Sequence, residues 1–150
     1  MAELKDRLRA DLTSAMKGRD ELRTATLRMV LAAVSAEEVA GKEARELSDD
    51  EVQAVLRREA KKRREAAEAY AGAGRAEQAD RERAEEGVVA GYLPAQLEDA
   101  DLTALVADVI TRTGATGMKD MGKVMGAANQ EVAGRAEGGR VAAEVRRQLG

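Results

Sequence analysis

The amino-acid sequence predicts an all-α protein, and three features of its 150 residues carry that prediction. Ala, Leu, Glu and Arg dominate, and all four favour helix. Pro94 is the only proline, so long stretches run without a helix breaker. Few segments are rich in β-branched residues, and the apolar positions recur at the helical period instead.

Element by element, Leu4, Leu8, Leu12 and Ala15 give a first helix over residues 3 to 17. Gly18 ends it, and Asp20 can cap a second helix running from about 20 to 40. That second helix is apolar on two sides, with Leu22, Ala25, Met29 and Ala33 on one and Leu27, Leu31 and Val34 on the other. Such a helix is expected to be central and buried. Ser48-Asp49-Asp50-Glu51 reads as a capping box for a third helix, which reaches about Ala71. Val52, Val55, Leu56, Ala60, Ala67 and Tyr70 form its apolar face, from which Glu59 and Arg63 also project as a charge pair. A pair there implies a semi-buried bridge, which would suit an interface with the C-terminal helices. AGAG at 71–74 breaks the helix, and a fourth follows from about 75 to 92.

YLPAQL at 92–97 is the best boundary in the chain, because proline disfavours helix at Leu93. The expected division is an N-terminal helical domain, residues 1–93, and a small C-terminal three-helix bundle, residues 94–150. In the bundle Leu102, Leu105, Val106, Val109 and Ile110 mark an amphipathic helix stopped by Gly114. Helices over about 118–132 and 139–149 complete it. Met118, Met121, Met125 and Val132 are expected to be its core positions in the middle helix.

Composition excludes several functions. There is no Cys and no His, which removes thiolate chemistry, disulfides and the commonest general base and zinc ligand. Ser14, Ser35 and Ser48 are the only serines, none in a nucleophile motif, and neither a P-loop nor GxGxxG occurs. No catalytic residue, metal or cofactor is therefore expected. The apolar runs fall short of a membrane span and the N-terminus is charged, so a cytoplasmic protein without membrane contact is expected. The net charge is −3, and the residues after Pro94 carry seven basic and eight acidic groups. Nucleic-acid binding would have to come from local patches.

Taken in order, AMKGRDELRTATLRMVLAAV (15–34), RREAKKRREAAEAYAGAGR (57–75), YLPAQL (92–97), GMKDMGKVMG (117–126) and GRAEGGRV (134–141) resemble the YqeY-like family. The C-terminal part of that family is similar to the tail of the GatB subunit of aspartyl/glutamyl-tRNA amidotransferase. The resemblance implies an all-helical, two-part fold and kinship with a module that helps hold tRNA. It also implies a family-level association with glutamine-dependent carbon–nitrogen ligase activity, for which the residues themselves offer no machinery. Glu137 stands where the family's loop usually has Asp.

The candidate site lies in the bundle. Lys119, Gly122, Lys123, Gly126 and Gln130 share the sector opposite the methionines. Glycines at i, i+4 in a helix either admit another backbone or leave a flat surface beside two lysines for a phosphate chain. Arg135 and Arg140 flank the turn before the last helix and would extend Lys119 and Lys123 into one phosphate-contacting patch. Arg57, Lys61 and Arg64 form a secondary basic stripe on the third helix, diluted by Glu65 and Glu68. Without Phe or Trp, stacking on single strands is disfavoured, leaving shape and phosphate contacts to a folded RNA. The expectation is a non-catalytic module that binds tRNA or assists an amidotransferase or another aminoacyl-tRNA-handling enzyme. The alternative is a helical protein–protein module that docks through the Gly122/Gly126 face.

Overall fold

The computed structural model describes residues 3–150, in which there are seven α-helices and no strand. The chain divides between Leu93 and Pro94 into two compact units. The first holds α1 (Glu3–Lys17), α2 (Glu21–Glu38), α3 (Asp49–Gly72) and α4 (Ala76–Ala90). α1 pairs with α2, α3 pairs with α4, and α2 also packs against both α3 and α4.

Local chemistry sets the boundaries. Asp20 Oδ1 accepts from Arg23 N at 3.1 Å, capping α2. At the start of α3, Glu51 N donates to Ser48 Oγ (3.3 Å) and Ser48 N donates back to Glu51 Oε1 (3.2 Å), so the capping box is formed. Leu8, Leu27, Val30, Val34, Val52, Val55, Leu56 and Val89 build the core, joined by Leu47 from the α2–α3 connection.

Both expected apolar sides of α2 reach the core, Leu22 and Ala33 from one and Leu27, Leu31 and Val34 from the other, but not every position is covered. Thr26, Leu27, Val30 and Val34 are buried, whereas Met29 is 36% exposed and Ala32 and Ala36 face solvent. The three neighbouring helices cover the arc from Leu22 and Ala33 through Leu27, Val30 and Val34 to Leu31, and a narrower strip through Ala32, Ala36 and Val39 is left exposed.

Charges are also buried here. Lys5 Nζ sits 2.8 Å from both carboxylate oxygens of Glu38, tying the start of α1 to the end of α2. Arg63 is 7% exposed, with Nη1 3.3 Å from Glu59 and Nε 3.6 Å from Glu85, while its Nη2 donates to Met29 Sδ at 3.1 Å. The Glu59–Arg63 bridge thus finds its partners on α2 and α4, inside the first unit. Near the boundary, Tyr92 is buried and donates to Asp11 Oδ2 at 2.5 Å, with the Arg7 guanidinium 4.7 Å from its ring centre.

The second unit holds α5 (Asp99–Thr113), α6 (Met121–Val132) and α7 (Gly138–Leu149), each packed on the other two. Leu102, Val106, Val109, Val124, Ala128, Val132, Val141 and Val145 form its core. Gly114, at φ 70°, ends α5 as its sequence position predicts. α6 begins later than expected, because Met118–Asp120 is a 3-10 turn. The Asp120 carboxylate accepts from Thr116 N at 2.9 Å and fixes that turn. Its tighter period takes Met118 out of register with the core arc, leaving it 48% exposed. Val124 and Ala128 fill the place expected for methionine, with Met121 and Met125 half-buried beside them. Among the described residues no helix is long and apolar enough to cross a membrane.

Candidate nucleic-acid interface

The outward face of α6 carries Gly122, Lys123, Gly126, Asn129 and Gln130, all exposed. A Cβ placed on Gly122 or Gly126 would meet no atom within 4 Å. No backbone of the described residues approaches either glycine, so neither is required by packing inside the bundle. Lys119 precedes α6 in the 3-10 turn and is exposed. Lys123 Nζ donates to Thr113 O at 2.9 Å, placing its charge over the carbonyl end of α5. Between the two lysines, the Thr116 N–H holds the Asp120 carboxyl below its ordinary range, helped by the charges of Lys119 and Lys123. This aspartate was not among the expected site residues. Its signal in the sequence is a Thr and an Asp four residues apart around Gly117, a spacing suited to a side-chain-to-backbone bond.

Arg135 and Arg140 are committed elsewhere in the bundle. Arg135 donates to Glu131 O (2.8 Å) and Val132 O (3.0 Å), closing the carbonyl end of α6, where Ala133 and Gly134 both take left-handed φ. Arg140 Nη2 donates to Leu97 O (2.9 Å) and Asp99 Oδ1 (3.0 Å), fastening α7 to the segment that enters α5. Lys123 and Arg140 therefore sit at opposite ends of the 15-residue α5, about 20 Å apart along its axis. The structure brings Lys119, Gly122, Lys123 and Gly126 together. It does not join them to Arg135 and Arg140 in one continuous patch, because those arginines stitch the far end of the bundle.

On α3, the secondary stripe is largely neutralised. Lys61 lies 3.9 Å from Glu65, and Arg64 Nε lies 3.4 Å from Glu86 of α4. Arg57 is half-buried. Among the described residues no three acidic side chains are grouped to hold a metal ion. Ser48 is occupied as the α3 cap, and Ser35 is exposed on α2.

Residues 5–149 match the protein family described as YqeY-like protein. The chain belongs to the YqeY-like family. The match runs through both helical units and includes the α6 face, the Tyr92–Leu97 boundary and the turn before α7. Among curated proteins none matches the chain.

Proposed function

We propose that this YqeY-like protein is a non-catalytic, RNA-facing module whose α6 surface seats against the phosphate backbone of a folded RNA of the tRNA class. The observation that carries the reading is the bare α6 face. Gly122 and Gly126 lie open beside Lys119 and Lys123, and nothing in the bundle explains two glycines within one short helix. A helix face without side chains lets a sugar–phosphate strand come to backbone distance, with the lysines supplying charge at its edge. The resemblance of residues 117–126 and 134–141 to the GatB tail motivates tRNA as the RNA class, and a cytoplasmic setting beside an amidotransferase-type enzyme accords with it. Arg135 and Arg140 then act as frame, holding the turn that supports α6.

The test is a tRNA titration of the intact protein at several salt concentrations. Wild type is expected to show a steep loss of affinity with salt, and Lys119→Glu/Lys123→Glu to bind more weakly with a slope shallower by about two. Unchanged binding and slope in the double variant would remove the proposal. One observation favours a second reading, protein docking through the same glycines: Lys123 is already bonded to Thr113 O. A salt-insensitive interface on Gly122 and Gly126 would mark that alternative.

A further inference from the structure

The strongest feature left unused is the exposed strip of α2, whose Met29 sulfur accepts from Arg63 of α3. Along this outward arc Ala25, Met29, Ala32, Ala36 and Val39 follow one another over about 21 Å, nearly four turns, in a chain of 35% charged residues. Met29 is 36% and Val39 64% exposed, and Met16 at the end of α1 is 43% exposed beside them. A groove of about 490 Å³ opens where the arc meets the α1–α2 turn, lined by Met16, Arg19, Glu21, Thr24, Ala25 and Arg28.

The rim of that groove is cationic. Among the described residues Arg19 has no ion-pair partner, and it stands in a left-handed conformation (φ 55°), where glycine or asparagine is usual. Arg28 reaches only a thioether, Met16 Sδ at 3.3 Å. Glu21, the one acid of the rim, lies 3.5 Å from Arg81 of α4. Two guanidiniums thus border an apolar floor with their carboxylate-binding forks unused. Other arginines of the unit are matched, as Arg45 with Glu51, Arg58 with Glu37 and Arg64 with Glu86. Among the described residues Arg9, Arg57 and Arg75 have no ion-pair partner, like Arg19 and Arg28, but only these last two line the groove.

We infer that the outer face of α2 is the docking surface for an amphipathic helix of a partner protein, apolar toward Ala25, Met29 and Ala32 and carrying carboxylates toward Arg19 and Arg28. The small alanines allow close helix–helix approach, and between Arg28 and Val39 the helix carries no Lys or Arg to follow a phosphate chain. A second copy fits less well: a two-fold pairing about the middle of α2 places the two Arg28 side chains within about 10 Å on one face, with no acid between them. This surface is on the first unit and does not depend on the RNA reading of α6.

A display library of helix-forming peptides of about 16 residues, long enough to span the arc, supplies the probe. Binding is selected on the full chain and measured again on Arg19→Glu/Arg28→Glu and on Ala32→Gln. The enriched peptides are expected to carry apolar residues at i, i+3 or i+4, and i+7, flanked by Asp or Glu. Either variant should weaken them by about tenfold or more, with the circular dichroism melt unchanged. Absence of enrichment, enrichment of basic peptides, or binding indifferent to both variants overturns the inference. So does a wild-type dimer in sedimentation that Ala32→Gln dissociates, which assigns the face to a second copy. Loss of tRNA affinity in Arg19→Glu/Arg28→Glu equally overturns it and assigns the face to RNA.

Discussion

At the scale of single residues, Gly122 and Gly126 set stability against contact. Both lie within α6, and a methyl group added to either has no atom within 4 Å, so alanine enters without strain. Each Gly→Ala change should stabilise the bundle by about 0.5–1 kcal/mol, through helix propensity and a less flexible unfolded chain. If the bare backbone is a contact surface, the same methyl groups hold the ligand away. Gly122→Ala/Gly126→Ala is therefore expected to raise the urea midpoint while lowering tRNA affinity several-fold. A variant more stable and equally tight would show that the glycines serve neither RNA nor packing. Lys123 belongs to the same balance, since its ammonium caps α5 through Thr113 O before it meets any ligand.

At the scale of elements, the α3–α4 hairpin depends on a buried cation. Arg63, 7% exposed, lies between Glu59 and the 8%-exposed Glu85, and Arg81 holds the other Glu85 oxygen at 3.1 Å. Removing Arg63 leaves the largely buried Glu59 carboxylate without a cation and Glu85 with Arg81 alone, so Arg63→Ala should destabilise the first unit by about 3 kcal/mol. Exchanging the whole group, as Glu59→Gln/Arg63→Met/Glu85→Gln, should recover most of that loss in urea denaturation. The sequence announced this pair, because two charges on an apolar face at i, i+4 are anomalous, but their partners come from helices remote in sequence. The same division holds for the other elements. Asp20, the Ser48–Glu51 box and Gly114 were legible because caps are local chemistry. The two apolar arcs of α2 were legible too, but periodicity does not say how far each is covered: Leu22 and Ala33 pack on the core while Met29, on the same arc, is 36% exposed. The start of α6 was hidden by a single side-chain bond, Asp120 to Thr116 N, which replaces a helical turn with a 3-10 turn. The α6 glycines and lysines emerged together as their spacing implied, whereas Arg135 and Arg140 were drawn off by backbone carbonyls that no spacing rule reveals.

At the scale of the whole molecule, the two units differ in how they respond to alkali. Burial and the hydrogen bond to Asp11 push the Tyr92 phenol from 10.0 up to about 12. A folded-state pKa raised above the unfolded value stabilises the fold fully below pH 10, and that contribution is lost as pH rises through about 12. The stability advantage of wild type over Tyr92→Phe should accordingly be constant to pH 10 and shrink between 10 and 12, measured by urea denaturation. An advantage independent of pH across that window would show that the phenol–Asp11 bond does not couple to folding. The second unit has no comparable group, because both tyrosines, Tyr70 and Tyr92, precede Pro94 and the chain lacks Phe and Trp. That distribution divides the molecule optically. Near-ultraviolet dichroism and intrinsic fluorescence belong to the first unit alone, and the bundle that carries α6 is spectrally silent. A ligand that alters tyrosine emission has perturbed the environment of Tyr70 or Tyr92, and one that leaves it untouched directs attention to the dark half of the chain.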